Sequence, residues 1–325
     1  MFCASISTMM LQKVKRLILH LVEIILLLTF IAGALGQLGN LWWIFEILSH
    51  FYHFYFAVFS ITLVAFILLK KKTAIILSLA GLIISGLVIF SVYFSSFTVN
   101  NNSDFVRIMS YNTNFYLNNS EQIADNIKQT QPDVVVLLET NKNMFTNLQT
   151  QLKATYSYSY FHDQQQPSNM AFLSKLELLE PELFMPDNSL AGFIRTEFKY
   201  KDQLVTLLAT HPYPPYNSKL AQDRRNYYKL IAQKARQEKN PTIIIGDFNT
   251  TPWSPLFRKL IKDSGLRDSR LGFGIMPTWP TFVPAFMRIP IDHALVSSDI
   301  TVNNRFIGDS KASDHLPIIL DISIN

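Results

Sequence analysis

The sequence predicts two parts of different class: a membrane domain with three transmembrane helices, followed by a mixed α/β domain. Two observations predict this division. Residues 1–103 contain three long runs without any charged residue, whereas the later residues alternate short apolar runs with longer amphipathic segments. We place the membrane domain at residues 1–94, a linker at 95–103 and the second domain at 104–325.

The composition separates the same two parts. Charged residues make up only 16% of the chain and hydrophobic residues 49%, whereas about 25% charged residues is usual for soluble domains. Residues 1–103 carry six basic and two acidic groups, which leaves residues 104–325 with a net charge of +1. This composition excludes a disordered chain or a fibrous repeat, and the single cysteine, Cys3, excludes a disulfide scaffold. A nearly neutral second domain argues against a strongly basic nucleic-acid-binding surface.

The uncharged runs are long enough to cross a bilayer. They contain 22, 23 and 31 residues, and a span needs roughly 20 apolar residues. We predict spans near Leu17–Leu35, Phe51–Leu69 and Ala74–Phe94. A signal peptide is the alternative for the first segment, and buried helices of a soluble bundle are the alternative for all three.

Basic residues predict the orientation of these spans. One cluster at 13–16 precedes the first span and another at 70–72 separates the second from the third, while residues 36–50 contain no lysine or arginine. The positive-inside rule keeps both clusters in the cytoplasm. Three spans therefore place the second domain outside the cytoplasm, periplasmic or extracellular, on a multi-pass protein of the cell membrane.

The second domain is predicted to alternate strands and helices. Continuous runs such as VVVLL and TIIIG are typical of strands buried on both faces. Ser120 is a candidate N-cap of the first helix. The predicted strands are Phe105–Tyr111, Val134–Leu138, Met170–Ser174, Phe193–Tyr200, Leu204–Ala209, Thr242–Gly246, Ile291–Val296 and Pro317–Ile322. The predicted helices are Ser120–Gln129, Asn143–Leu152, Ser218–Gln237 and Ser254–Asp263.

Polar side chains suited to metal or phosphate chemistry lie at the ends of these predicted strands. A single carboxylate after a strand is usually a turn residue or a helix cap. Six strand ends with carboxylate, amide or imidazole groups instead predict one site at the rim of a sheet. The residues are Asn112, Glu139, His211, Asp247 with Asn249, Asp292, and Asp314 with His315.

This set resembles the endonuclease/exonuclease/phosphatase superfamily, which has the DNase-I-like fold. The resemblance rests on Asn112, Glu139 in LLET, His211 in ATHP, GDFN at 246–249, Asp292 in PIDHALVS and SDH at 313–315. PTWP at 277–280 and the apolar N-terminal segments are similar to a membrane-anchored bacterial branch. The resemblance implies a four-layer sandwich in which two mixed β-sheets pack face to face between helices.

The resemblance also implies roles for these residues. Glu139, Asn112 and Asp314 would hold Mg²⁺ or Mn²⁺, hard cations that prefer oxygen ligands. His315, oriented by Asp292, and Asp247 are the two candidates for the general base, and the sequence leaves the choice open. His211 and Asn249, together with Asn112, would contact the phosphate, and His211 is also a candidate general acid.

The function implied is that of a membrane-anchored, metal-dependent phosphoesterase, specifically a phosphodiesterase acting outside the cytoplasm. Its substrate would be nucleic acid, a lipid head group or a small phosphoester. The alternative is a catalytically silent binding or scaffolding domain on the same fold. The N-terminal helices would supply the membrane contact, and the sequence indicates no obligate protein partner.

Three further features carry expectations. Asn114 stands where the AP-endonuclease branch has an aspartate, so we expect weaker metal binding or a different number of ions. An apolar stretch with Trp279, Phe282, Phe286 and Met287 is either a substrate wall, a membrane-touching lip or a loop packed on its own core. Basic residues of the long helix are expected to form a solvated face: Arg224, Arg225, Lys229 and Lys234.

Overall fold

A computed structural model describes residues 2–93, 104–163, 168–187, 189–309 and 312–324. The chain divides into two compact units, Met1–Phe90 and Ser91–Asn325. The predicted linker, 95–103, lies outside the described residues.

The first unit consists of four helices. The helices are α1 (Phe2–Gln37), α2 (Trp43–Ser49), α3 (Tyr52–Leu68) and α4 (Lys72–Phe90). Two helical segments, Met9–Gln37 and Lys72–Tyr93, are long and apolar enough to span a membrane. Helices α2 and α3 form a pair bent by 60°, which makes a third candidate span if the pair counts as one. The described residues therefore contain two or three candidate spans, and the predicted number of three stays a prediction.

Helices α3 and α4 form a closely packed antiparallel pair joined by a short basic turn. Ser78 donates a hydrogen bond to the Thr62 hydroxyl over 3.1 Å, and the rings of Phe56 and Phe90 lie 5.4 Å apart. A Cβ atom at Gly81 would come within 2.4 Å of the Phe59 ring. Small residues thus let the two helices approach closely along their length, as is common between membrane helices.

The second unit is an α/β sandwich. Its strands are β1 (Val106–Asn112), β2 (Val134–Leu138), β3 (Tyr158–His162), β4 (Met170–Ser174), β5 (Glu182–Phe184), β6 (Phe193–Tyr200), β7 (Gln203–Thr210), β8 (Thr242–Asp247), β9 (Arg267–Asp268), β10 (Asp292–Val296), β11 (Ile300–Ile307) and β12 (Ile318–Ile324). Its helices are α5 (Ser120–Thr130), α6 (Lys142–Leu152), α7 (Ser218–Gln237) and α8 (Pro255–Ser264). The strands form two mixed six-stranded sheets, in the orders β11-β12-β1-β2-β4-β3 and β5-β6-β7-β8-β10-β9.

Strand β2 illustrates how the sequence builds these layers. Because successive side chains alternate between the faces of a sheet, Val134, Val136 and Leu138 enter the core between the two sheets. Val135 and Leu137 point the other way, into the core beneath α5 and α6. A matching core lies beneath α7 and α8 on the outside of the second sheet. The predicted four-layer sandwich of two packed mixed sheets flanked by helices is therefore confirmed.

The structure also differs from the predicted elements. Strands β3, β5, β9 and β11 were not predicted. Ser120 is not the N-cap of α5: it is the first helical residue, and the cap position is Asn119, whose side chain makes no capping hydrogen bond.

The directions of the strands determine which of the polar strand-end side chains lie at the same edge. Strands β1 and β2 are parallel, as are β7 and β8, so the carboxyl ends within each pair lie at one edge. Strand β10 is antiparallel to β8, with Asp292 opposite Asp247. The start of β12 lies beside the end of β1, since Ile318 pairs with Ser110.

Candidate active site

The predicted strand-end residues meet where the two sheets come together. Asn112 ends β1 in the first sheet, and its amide nitrogen donates to Glu139 Oε1 over 2.8 Å and to Asp247 Oδ2 over 3.2 Å. Asp247 ends β8 in the second sheet. The Asn112 side chain therefore joins the two sheets at the edge that carries the carboxylates.

His211 faces the same two carboxylates. It directly follows β7, and its Nε2 lies 3.3 Å from Glu139 Oε1 and 3.7 Å from Asp247 Oδ2. Its backbone N–H donates to the Tyr227 hydroxyl over 3.2 Å. Within the described parts of the chain, the buried Nδ1 of His211 has no hydrogen-bond partner. The imidazole is thus fixed through its backbone and through Nε2.

Asp292 and His315 form a buried pair. His315 Nδ1 lies 3.0 Å from Asp292 Oδ2, and the Thr278 hydroxyl donates to the same oxygen. The other ring nitrogen of His315, Nε2, lies 3.8 Å from Asp247 Oδ2. Asp292 therefore orients the imidazole so that Nε2 is directed at Asp247 and the edge that carries the carboxylates.

The histidines supply positive charge to Glu139. Burial alone would raise the pKa of Glu139, but the hydrogen bond and charge of His211, with help from the Asn112 amide, lower it to about 2. Burial opposes the charging of His211, yet Glu139 and Asp247 raise the pKa of its imidazole above its usual value. Each group thus stabilises the charged form of the other.

The pKa values of Asp247 and His315 are both raised, but for different reasons. Burial, and then the charge of Asp292, raise the pKa of Asp247 to about 6. Burial disfavours the imidazolium of His315, but Asp292, followed by Asp247 and Asp314, raises the pKa of His315 to about 10. At neutral pH Asp247 is therefore mostly ionised and His315 is an imidazolium.

The backbone at the site is strained. Glu139 and Asn249 adopt positive φ values of 52° and 48°, a region that non-glycine residues occupy at some cost. Gly246 of the GDFN segment is required for packing, because a Cβ atom there would lie 2.0 Å from the Thr210 carbonyl oxygen. These positions aim the side chains that follow β2 and β8 into the site.

Asn249 is supported by a residue that the sequence analysis assigned wrongly. Its amide nitrogen donates to the Pro212 carbonyl over 2.9 Å, and its backbone carbonyl accepts from Arg224. Arg224 is buried, so the expectation that it belongs to a solvated helix face is wrong. It lies three and four residues before the buried Tyr227 and Tyr228, a helical spacing that could have indicated its inward position.

Asp314 binds two neighbours at the rim of the site. Asn114 Nδ2 donates to Asp314 Oδ1 over 2.8 Å, and Trp279 Nε1 donates to Asp314 Oδ2 over 3.0 Å. An aspartate at position 114 would place a second carboxylate against Asp314, whereas the Asn114 amide donates a hydrogen bond to it. This contact of Trp279 could not be predicted from the local sequence, because it joins residues 35 positions apart.

Two groups of donor atoms are arranged so that a cation could bind. Glu139, His211 and Asp247 form one group and Asp247, Asp292 and His315 the other, with the ligand atoms of each group within 4.8 Å of one another. Oxygen-rich sets of this kind fit Mg²⁺ or Mn²⁺. The metal-ligand roles of Glu139, Asn112 and Asp314 stay predictions. For Asn112 the role requires its amide to turn, because it presents nitrogen to the carboxylates.

The fold and this edge of the two sheets place the chain among DNase-I-like α/β sandwiches. The model of the endonuclease/exonuclease/phosphatase family matches residues 109–315, more than half of the chain. The chain therefore belongs to the endonuclease/exonuclease/phosphatase family, as its motifs predicted. No curated protein matches the sequence.

Solved structures share the fold at low sequence identity. An endonuclease/exonuclease/phosphatase protein from Bacteroides vulgatus is 19% identical, with a TM-score of 0.57 over 69% of this chain and 100% of its own. D. rerio TDP2 complexed with a single-strand DNA product is 18% identical, with a TM-score of 0.57 over 68% of this chain and 100% of its own. A protein of unknown function from Enterococcus faecalis is 15% identical, with a TM-score of 0.58 over 68% and 100%.

Proposed function

We propose that this protein is a membrane-anchored, divalent-metal-dependent phosphodiesterase that acts outside the cytoplasm. The observation that carries the proposal is the meeting of Glu139, His211, Asp247 and the Asp292–His315 pair at one edge. Members of this family are generally hydrolases of phosphoesters, so such an edge suits attack on phosphorus. When bound, Mg²⁺ or Mn²⁺ would polarise the phosphoryl oxygens and stabilise the developing negative charge.

The electrostatics favour Asp247 as the general base. Its pKa of about 6 leaves it ionised but still basic at neutral pH. In the proposed reaction Asp247 takes a proton from water, the water oxygen bonds to phosphorus, and the phosphorus–oxygen ester bond breaks. His211 gives a proton to the leaving oxygen.

His315 has a different role in this scheme. With its pKa raised to about 10, it is already protonated at neutral pH and cannot accept a proton from water. It is suited instead to donate from Nε2 to a phosphoryl oxygen. Asp292 contacts the His315 imidazole through Oδ2, so we assign it as a positioning residue. Asn249 would add an amide donor, because its nitrogen carries two hydrogens and Pro212 accepts only one.

The packing of the first unit supports a three-span anchor. Helix α3 alone has 17 residues, short of the usual span, but contacts with α4 extend from Ser78 to Phe90. If α4 crosses the bilayer, α3 lies beside it for most of that distance. Three spans together with the two basic clusters give an extracytoplasmic catalytic unit.

The test uses the full chain, purified in detergent, with bis(p-nitrophenyl) phosphate as a generic phosphodiester. We expect hydrolysis that requires Mg²⁺ or Mn²⁺, stops with chelator and returns when metal is added. Asp247→Asn and His315→Ala should each lower turnover by roughly two to four powers of ten. Lys229→Ala is the control, because Lys229 is an exposed residue of α7. Chelator-resistant hydrolysis, or full activity of Asp247→Asn, would contradict the mechanism.

A further inference from the structure

Large apolar side chains are exposed around the candidate site. Tyr116 is 85% exposed, Tyr216 and Phe282 78% and Phe286 77%. Leu190 and Met287 are also exposed. We call these six residues the apolar rim. Of the alternatives for the stretch at 279–287, a loop packed on its own core therefore does not apply to Phe282 and Phe286.

The strand register brings the rim residues to one edge. They lie on four loops, at 113–119, 185–192, 211–217 and 280–288. The first follows β1 and the third follows β7, whose ends carry Asn112 and His211. The second precedes β6, which begins beside the end of β7, since Ile194 pairs with Ala209. The fourth leads into β10, which begins at Asp292.

Direct contacts tie these loops to the site. The backbone N–H of Thr281 donates to the Asp314 carbonyl over 2.9 Å, which fixes the loop that carries Phe282. The Phe115 N–H lies 3.5 Å from Glu139 Oε2, beside Tyr116. Desolvation of the hydroxyl by neighbouring protein atoms, and then the negative charges of Glu139, Asp247 and Asp314, raise the pKa of Tyr216. Tyr216 thus lies within electrostatic reach of the carboxylates.

Charge is nearly absent from the rim. Apart from His211 of the candidate site, the four loops contain one acidic residue, Asp187, and one basic residue, Arg288. The Arg288 guanidinium donates to the carbonyls of Val283 and Thr281 in its own loop. Binding of nucleic acid needs lysine and arginine along the phosphate backbone as well as stacking aromatics. A rim of phenylalanine, tyrosine, leucine and methionine with little charge is instead suited to the interface of a lipid layer.

We infer that the apolar rim engages the glycerol and acyl region of a phospholipid, so that the substrate of the site is a phospholipid in a lipid layer. This inference rests on the proposed phosphodiesterase activity and names its substrate class. The lipid phosphate would lie at the carboxylate edge, where water attacks phosphorus and one ester bond of the phosphodiester breaks. The same chain carries helices apolar enough to span a membrane, so phospholipid is a substrate that a membrane-anchored form always has available.

The experiment compares three substrates for the full chain in detergent with Mn²⁺. They are mixed micelles of phosphatidylethanolamine and phosphatidylglycerol, bis(p-nitrophenyl) phosphate, and a single-stranded deoxyoligonucleotide. The test variant is Phe282→Ser with Phe286→Ser. Tyr158→Ser is the matched control. Tyr158 is exposed and pairs with Ser174, which in turn pairs with Val134 at the start of β2. Tyr158 therefore lies at the end of the sheet opposite Glu139. Lipid products are identified by mass spectrometry.

We expect phospholipid hydrolysis, and we expect the double variant to lower the ratio of phospholipid to bis(p-nitrophenyl) phosphate turnover by about tenfold or more, since two phenylalanine contacts are lost. Tyr158→Ser should leave that ratio unchanged. Hydrolysis of bis(p-nitrophenyl) phosphate without phospholipid hydrolysis would overturn the rim inference alone. Loss of oligonucleotide turnover specific to the double variant would identify a base-stacking rim and also overturn it. Failure to hydrolyse all three substrates would overturn the proposed function and the inference with it.

Discussion

Asp247 and Asp292 lie directly opposite each other on the antiparallel strands β8 and β10. Two carboxylates in this arrangement repel each other, which normally destabilises a sheet. His315 relieves the repulsion: its Nδ1 is 3.0 Å from Asp292 and its Nε2 is 3.8 Å from Asp247. One imidazole therefore serves both carboxylates, and this explains why its pKa is raised despite complete burial.

Asp292→Asn should separate positioning from direct catalysis. The charge of Asp292 is the largest influence that raises the pKa of His315 against burial, so its removal lowers that pKa. The imidazolium would then lose its proton at a lower pH, and the alkaline limb of the rate profile should move toward neutrality. We expect turnover to fall by about two to four powers of ten.

The measurement is the pH profile of bis(p-nitrophenyl) phosphate hydrolysis at saturating Mn²⁺. Asp299→Asn is the control, because Asp299 is an exposed residue after β10. A variant Asp292→Asn that loses activity without any shift of its alkaline limb would contradict the positioning role.

Glu139→Gln should weaken metal binding. In the proposed site the carboxylate of Glu139, whose pKa is lowered to about 2, would be the charged ligand whose loss matters most to a hard cation. We expect the Mn²⁺ concentration for half-maximal activity to rise by about tenfold or more, because even outer-sphere partners change metal affinity by 10- to 100-fold. Glu121→Gln, at an exposed position of α5, is the matched control. An unchanged midpoint for Glu139→Gln would remove it from the metal site.

The elements that could be predicted are those with a clear hydrophobic pattern, either an amphipathic helix such as Ser218–Gln237 or a strand buried on both faces. Strands Val134–Leu138 and Met170–Ser174 were predicted with the bounds observed, because continuous apolar runs leave little choice. Strand β11 was missed since its sequence, ITVNNRFI, contains polar residues and a bulge between Val302 and Asn304. Strands β5 and β9 are three and two residues long, too short for any periodicity.

The site was predictable for a related reason. Strand ends place side chains at a sheet edge whatever the remaining packing, so Glu139, His211 and Asp247 could be grouped in advance. Supporting contacts were not predictable in this way. The bond from Trp279 to Asp314 and that from Arg224 to Asn249 depend on how distant segments pack, and the local sequence does not record that.

The three-span model makes a prediction about topology. A reporter that is active only outside the cytoplasm, fused after Asn325, should be active, and a cytoplasm-only reporter fused after Lys71 should also be active. Both expectations follow from the basic clusters at 13–16 and 70–72. Activity of the cytoplasm-only reporter after Asn325 would mean that α3 does not cross the membrane and that only two helices span it.

A buried cluster of one carboxylate and two arginines should control the stability of the second unit. Asp268 accepts hydrogen bonds from the backbone N–H of Arg270 over 3.0 Å and from its Nε over 3.1 Å. Arg305 Nη1 lies 3.7 Å from the same carboxylate, and both arginine side chains are fully buried. Asp268 is thus the one carboxylate among the described residues that forms an ion pair with either arginine.

Asp268→Asn should therefore destabilise the protein by about 3–5 kcal/mol at pH 7, the cost typical of leaving a buried charge unpaired. Burial would raise the pKa of Asp268, but Arg270 and then Arg305 lower it below its usual value. An acid with a lowered folded-state pKa contributes stability above its unfolded pKa of about 3.9 and loses it as the pH falls through the folded value. The wild type should lose this contribution below about pH 4, whereas the variant has already lost it.

Urea unfolding of the full chain in detergent between pH 7 and pH 3, followed by tryptophan fluorescence, measures both effects. Asp263→Asn, which removes only a solvent-exposed pair with Lys259, should cost less than about 1 kcal/mol, and an equal cost for the two variants would contradict the buried-pair account.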